Sequence, residues 1–587
     1  MNSVRLMKSL PILLVFMFCS AHASTERISP ANVTRLDVAW VYDTGDSTEA
    51  LAPGADRPAF EATPVYADGA LYLSTPLGTV AALDAETGRQ LWKVDLKVRR
   101  GADYSDFANR GPAIRGTHLY VGTVDARLVC LERATGRFCP GFGRNGQIDL
   151  TQGLRRPPES PGEYGVTSPP AIYRDLVIVG SNVADNSRVR MASGEVRAFD
   201  AATGALRWTF HPLPADLAAG GANTWSRIVV DADNGLAYLP TGSASPDYFG
   251  GLRPGDNLYA NSLVAVHART GERAWHLQLV HHDVWDYDTT TAPLLYPGRD
   301  GPAVAVGNKS GHVFLLNRLT GTPLFPVLEQ PVPRSDVPGE QAAPTQPFPT
   351  KPQSLVPQRV AEEDLWGATP EDLESCRLTF RSLRNEGVFT PPSVRGSIHV
   401  PGNIGGLHWG GFAWDSTQRL LIAPVNRMPA IVRLIPRANV AEAEKNFPAR
   451  ETTEQDGTPF AMSREFFSSA SGAPCTAPPW GELVAFSADT GDVAWRAALG
   501  PNLGGPATTD TGLVFIGASL EPYLRAFETR TGRELWKGQL PTSARATPAL
   551  FTTERGTQMV AIAAGGHDVP QSKLDTKLVV FALRDTR

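Results

Sequence analysis

Short apolar runs alternate with polar and turn residues along nearly the whole chain, and one pattern returns again and again. ALDAETGRQLW ends at Trp92, AFDAATGALRW at Trp208, AVHARTGERAW at Trp275, AFSADTGDVAW at Trp495 and AFETRTGRELW at Trp536. Weaker copies are CLERATGRFCP around Thr135 and LLNRLTGTPLF around Thr320. Each copy predicts an alternating strand, a Thr-Gly turn and a second strand whose aromatic falls five residues after the Thr. Glycine suits the turn because a tight connection often needs positive φ, which has no steric penalty without a Cβ. The Trp supplies an apolar cover for a sheet face that a lone four-stranded unit would leave wet. A second phrase usually precedes the first, as in ATPVYADGALYLST, GPAIRGTHLYVGT, SPPAIYRDLVIVG and GPATTDTGLVFIG: small residues, a turn, then an inner hydrophobic strand.

The Thr-Gly turns begin at Thr87, Thr135, Thr203, Thr270, Thr320, Thr490 and Thr531. A unit of roughly 40–50 residues is the period of a β-propeller blade, so the long gap after Thr320 should hold a further unit and an insertion. HWGGFAWDSTQRLLIAPV, which echoes TWSRIVVDADNGLAYLPT, supplies that unit within 398–425. Seven marked units and one unmarked predict an all-β fold, an eight-bladed β-propeller of four-stranded antiparallel blades. The early strand 36–45 and the late strand 577–583 are placed to close the ring from opposite ends. The insertion falls at about 328–390. Its first part, 328–357, is proline-rich and reads as a surface loop. Residues 369–386 read as a helix, with Thr369 as N-cap and Pro370 at the first helical position. Leu373, Cys376, Phe380 and Leu383 form one face, and Gly387 is the stop.

Composition narrows the classes. The chain has 587 residues, 42% hydrophobic and 20% charged, which excludes a disordered tail. Fifty-five Gly, 49 Pro and 12 Trp argue against an all-helical fold. The formal net charge of −5, with no basic block, disfavours a nucleic-acid partner. Residues 1–23 read as a signal peptide: Arg5 and Lys8, then an apolar stretch from Leu10 to Phe18, then Ala21-His22-Ala23 as cleavage site. The stretch is far short of the ~20 residues that span a bilayer, so residues 24–587 are expected to be exported, with no transmembrane segment in the mature chain. Four cysteines remain, an even number suited to two disulfides in an oxidising compartment, in any of three pairings. Cys130 and Cys139 flank a turn and offer one local pair, and Cys376 on the helix's inner face offers a pairing with Cys475 that would tie the insertion to a later blade. None lies in CxxCH, and no spacing resembles a zinc knuckle.

Tandem AxDxxTGxxxW phrases in an exported chain resemble the quinoprotein dehydrogenases, whose propellers hold pyrroloquinoline quinone. The likeness spans nearly the whole mature chain and is nearest to the periplasmic domain of membrane-bound glucose, polyol and quinate dehydrogenases. VTSPPAIYRDLVIVGSNVADNS, PDYFGGLRPGDNLYANSLVAVHARTG, HHDVWDYD, NEGVFTPPSVRGSIHVPGNIGG and the stretch from LGGPATTDTG to Trp536 carry it. The resemblance implies a propeller enzyme that oxidises a sugar, polyol or other alcohol. Its cofactors would be pyrroloquinoline quinone and Ca²⁺ or Mg²⁺, and electrons would pass to a separate quinone or cytochrome acceptor.

Alcohol oxidation of this kind needs a base for the hydroxyl proton, a Lewis acid and a cationic donor. The resemblance implies Asp286 as the base, with Asp283 and Asp288 as local competitors, and Lys309 against the quinone oxygens. It implies Asp185 as a metal carboxylate, with Asn186 and Asp286 completing an oxygen set of the kind hard cations favour. It also implies Trp225 as the stacking floor, Arg110 as a clamp on the cofactor's carboxylates and Thr167 as a polar contact. Two positions depart from the alcohol dehydrogenase branch. Ser243 stands where that branch has an Asn ligand, and Tyr104-Ser105 replace its vicinal cysteines. His281-His282-Asp283 invites a zinc reading but lacks HExxH and a third ligand at useful spacing. The rival reading is a non-enzymatic envelope scaffold, which has no reason to bring Asp185, Trp225, Asp286 and Lys309 together.

Overall fold

In the computed structural model the described residues are 25–46, 57–446, 450–518, 520–566 and 572–584; the expected signal peptide lies outside them. They form eight four-stranded sheets, one three-stranded sheet and three two-stranded ones. The architecture is a β-propeller: successive antiparallel sheets stand side by side, and their innermost strands meet in sequence around an axis. Ala113–Arg115, Ala171–Tyr173 and Val229–Asp231 are neighbours, as are Leu294–Gly298, Ala413–Asp415 and Pro506–Thr508. The ring closes where Leu36–Asp43 pairs antiparallel with Lys577–Leu583.

The repeated phrase is the joint between sheets. Trp92, Trp208, Trp275 and Trp495 each donate their indole N–H to a backbone carbonyl of the next sheet: Arg133, Ala268, Arg318 and Thr529. Trp40, on the closing strand, donates likewise to Ala85. Each ring then lies across the Thr-Gly turn of that next sheet, over Gly88, Gly136, Gly271, Gly321 or Gly532. A Cβ at Gly321, whose φ is +74°, would sit 2.6 Å from the Trp275 ring. The glycine therefore serves twice, for positive φ and for the approach of the indole. Where a phrase lacks its Trp, other atoms cover the following glycine: Gly143 and Ile148 over Gly204, and Lys351 and Pro352 over Gly491.

Three expectations need correction. Residues 398–425 are not a separate unit. Ala413–Asp415 and Leu420–Asn426 are the first two strands of the sheet completed by Gly481–Ser487 and Val493–Leu499, which carries Thr490. The extra sheet of the ring is the closing one, because hydrogen bonding between chain ends satisfies edges that a repeat alone leaves open. Secondly, part of 328–357 is a hairpin: Val327–Pro331 pairs with Thr345–Pro349. Thirdly, the helix is Pro370–Ser382, capped by Thr369 as expected, and it stops before Gly387. Between two strands of the Thr490 sheet the chain builds a further four-stranded sheet. Ala430–Pro436, Glu451–Thr453 and Phe460–Phe466 join Ser397–His399 in it. Disulfides Cys130–Cys139 and Cys376–Cys475 are formed, the second tying the helix to this insertion.

Candidate active site

A cavity of about 540 Å³ opens on one end of the ring, a size typical of small-molecule and cofactor sites. Short pairings at its mouth aim the side chains. Ala59–Phe60 runs parallel to Ala108–Asn109, just before Arg110, and Tyr164–Gly165 pairs with Asn182–Val183, just before Asp185. Arg110, Asp185, Asn186, Trp225, Asp286 and Lys309 all line the cavity. Thr167 stands behind it and accepts a hydrogen bond from Arg110 Nη1 at 2.7 Å. Six loops far apart in sequence thus converge.

The segment HHDVWDYD divides its labour. Asp283 is buried and turned inward: Oδ1 accepts from the Trp285 N–H, and Oδ2 from the Tyr287 N–H, Ser243 Oγ and Asn261 Nδ2. It organises the turn and does not line the cavity. Asp286, at φ +60°, is thrown outward from that turn, in a backbone region Asp tolerates better than bulkier residues. Asp288 accepts from the Ser243 N–H at 2.7 Å. His281 and His282 reach the insertion instead, at Glu329 and Glu340.

Lys309 binds both outer carboxylates, 2.5 Å from Asp286 Oδ1 and 2.8 Å from Asp288 Oδ2. Its stem crosses Gly405, where a Cβ would come within 2.7 Å of Lys309 Cγ. Burial opposes the charge on Lys309, but the two carboxylates outweigh it and hold the ammonium well above its usual range. Burial drives Asp286 up to about 7, with Lys309 pulling it down and Asp288 pushing it up. Asp288 meets the same burial, yet Lys309 and the Ser243 hydrogen bonds keep it below the usual carboxylate range. The pair therefore differs in proton affinity, as an acid–base site requires.

Sequence reasoning missed several groups. Arg464 comes from the inserted sheet, pairs with Glu451 and lies 3.4 Å from Asp286 Oδ2; Tyr248 OH is 3.3 Å from the same oxygen. Glu61 and Asp106 hold the Arg110 guanidinium at 3.0 and 2.7 Å. Trp409 and His408 flank it: Arg110 lies 4.8 Å from the Trp409 ring centre, and His408 is 5.4 Å from Trp225. Asp247 lines the wall beside Asp185 and Asp286. Their contacts span different sheets, and no local spacing announces them. A signal existed only for His408-Trp409, as an aromatic pair between glycines in GGLHWGG.

Two tests bear on bound groups. Burial, then the neighbouring Asp288 and Asp286, pushes Asp185 well above the usual carboxylate range, and burial, then Asp185, Asp286 and Asp288, does so for Asp247. Asn186 Oδ1 and Asp247 Oδ1 are buried without hydrogen-bond partners among the described residues. Crowded carboxylate oxygens and an unpartnered amide oxygen suit a hard divalent cation. Ser243 is not free for it, since its hydroxyl is engaged with Asp283 and Asp288. On the other side, the Trp225 ring lies between cations, 5.5 Å from Arg110 and 6.0 Å from Lys309. His408 Nδ1 and Trp409 Nε1 are buried and have no hydrogen-bond partner among the described residues. A flat aromatic acid fits such a floor and rim. Tyr104 turns its ring onto Phe107 and its hydroxyl to the Arg99 carbonyl, while Ser105 accepts from Asn182 at 2.7 Å.

Those features fit a propeller that holds a flat anionic group beside a divalent cation, and comparison with known proteins gives the class. The PQQ family model described as "Glucose/ethanol/alcohol dehydrogenase, beta-propeller domain" matches residues 19–560. The quinate/shikimate dehydrogenase (quinone) of Acinetobacter baylyi is 35% identical, over 93% of this chain and 75% of its own length. The quinoprotein glucose dehydrogenase of Escherichia coli is 33% identical, over 95% of this chain and 77% of its own. Among solved structures, the quinohemoprotein alcohol dehydrogenase of Comamonas testosteroni superposes with a TM-score of 0.69 at 24% identity, covering 96% of this chain and 78% of that one. This chain belongs to the pyrroloquinoline quinone-dependent dehydrogenase propeller family.

Proposed function

We propose that the chain is an eight-bladed periplasmic quinoprotein dehydrogenase that oxidises a sugar, polyol or other alcohol and delivers electrons to a separate quinone or cytochrome. The five indoles handed to a following sheet, together with the strand pairing of the two chain ends, support the blade number. The observation that carries the activity is the Asp286–Lys309–Asp288 cluster beside Trp225, a buried acid–base pair with an offset in proton affinity. When bound, pyrroloquinoline quinone supplies a two-electron acceptor, and Ca²⁺ or Mg²⁺ a Lewis acid. Asp185, Asn186 and Asp286 hold the metal, joined by Asp247. Trp225 carries the flat ring, and Arg110, oriented by Thr167, Glu61 and Asp106, meets its carboxylates. Asp286 accepts the substrate's hydroxyl proton at its carboxylate, and the Lys309 ammonium faces the oxygen on which negative charge develops.

The test is reconstitution of purified protein with pyrroloquinoline quinone and Ca²⁺, following cofactor absorbance and dye reduction over sugars, polyols and cyclic alcohols. Wild type is expected to bind and turn over, and Asp286→Asn to bind the quinone with dye reduction down by at least 100-fold, the scale of a general base. Absence of binding with either metal would sink the dehydrogenase reading.

A further inference from the structure

A second cavity, of about 370 Å³, lies on the axis where the innermost strands converge. Arg110 and Trp409 line both it and the cofactor cavity, so they form the partition between the two. The remaining wall is largely apolar, including Val229, Leu294, Leu295 and Phe412. Besides Arg110, one cation lines it: Arg227 is exposed to the cavity and has no hydrogen-bond or ion-pair partner among the described residues. Arg110, the other cation on this wall, is already paired with Glu61 and Asp106.

An exposed guanidinium with no competing acid, beside apolar walls, offers its charge to an incoming anion and apolar surface to that anion's body. Its planar fork matches a carboxylate in two parallel hydrogen bonds. Phosphate and sulfate would satisfy the charge but would have to shed water against Leu294, Leu295 and Phe412, which gain only from an apolar body. We propose that the axial cavity is a binding site for an organic carboxylate with an apolar body, held by Arg227 and separate from the cofactor cavity. The site does not depend on the dehydrogenase reading.

Benzoate is the probe, with benzyl alcohol as its uncharged counterpart and inorganic phosphate as the anion without an apolar body. Each is titrated by calorimetry and thermal melting into the protein, with and without pyrroloquinoline quinone and Ca²⁺. Benzoate is expected to bind and raise Tm in a dose-dependent way whether or not the quinone is present, and benzyl alcohol and phosphate at least tenfold more weakly. Arg227→Gln should lose at least tenfold in benzoate affinity with quinone binding unchanged, and Arg227→Lys should keep part of it. Four results would each overturn the proposal: no benzoate binding at tens of millimolar, equal binding of benzyl alcohol or phosphate, displacement of benzoate by the quinone, or unchanged affinity in Arg227→Gln. The ligand comparison in wild type decides the matter even if Arg227→Gln fails to fold. Failure of quinone binding alone bears on the dehydrogenase reading and leaves this one standing.

Discussion

Lys309→Met removes one ammonium from between two buried carboxylates and keeps the volume of the stem over Gly405. At 2.5 and 2.8 Å, each contact is worth about 6 kcal/mol at an effective dielectric near 20. The ammonium's own desolvation offsets much of that sum, leaving about 3–5 kcal/mol for breaking a buried pair. The protein can limit the loss by protonating Asp286, already raised to about 7 with Lys309 present and higher without it. A carboxylate with a raised folded pKa binds its proton more tightly folded than unfolded. Its contribution is thus complete below the unfolded value near 4 and falls as pH rises toward the folded value, by up to about 1.4 kcal/mol per unit. The variant's deficit relative to wild type should therefore be small at pH 5 and largest at pH 8. Denaturant melts of the metal- and cofactor-free protein across pH 5–8 measure this directly. Equal stability at pH 8, or a deficit that grows toward pH 5, would refute the charge-pair argument.

Trp275→Ala should destabilise by about 3–5 kcal/mol, because it deletes both the ring over Gly321 and the bond to the Arg318 carbonyl; thermal melting reads it. Gly321→Ala should lower Tm as well, through positive φ and a Cβ placed 2.6 Å from that ring. Replacing Cys376 and Cys475 by Ser opens a loop with a sequence separation of 99 and should cost about 2–4 kcal/mol, seen as a fall in denaturation midpoint. Trp225→Ala should weaken quinone binding by about tenfold or more, since 1.4 kcal/mol is a factor of ten; fluorescence titration checks it.

Sequence periodicity determined much of this protein. The alternation and the Thr-Gly-to-Trp spacing specify strands, turns and a repeat, because each blade is built from contacts between near neighbours along the chain. The family motifs likewise marked Arg110, Asp185, Trp225, Asp286 and Lys309, and the fold brings all five to one cavity. Tertiary structure decided what local pattern does not encode. Residues 398–425 read as a blade of their own because strand alternation is the same whichever partner a strand chooses; the pairing of Leu420–Asn426 with Gly481–Ser487 spans the inserted sheet's last three strands. Asp283, Asp286 and Asp288 are equivalent as letters, and only the hydrogen bonds of Ser243, Asn261 and Lys309 separate a turn organiser from the outward pair. Arg464 and Glu61 reach the site from an inserted sheet and from the ring's first segment, where no spacing foretells them. Their role comes from charge and distance in space, which a propeller sets by closing its two ends on each other.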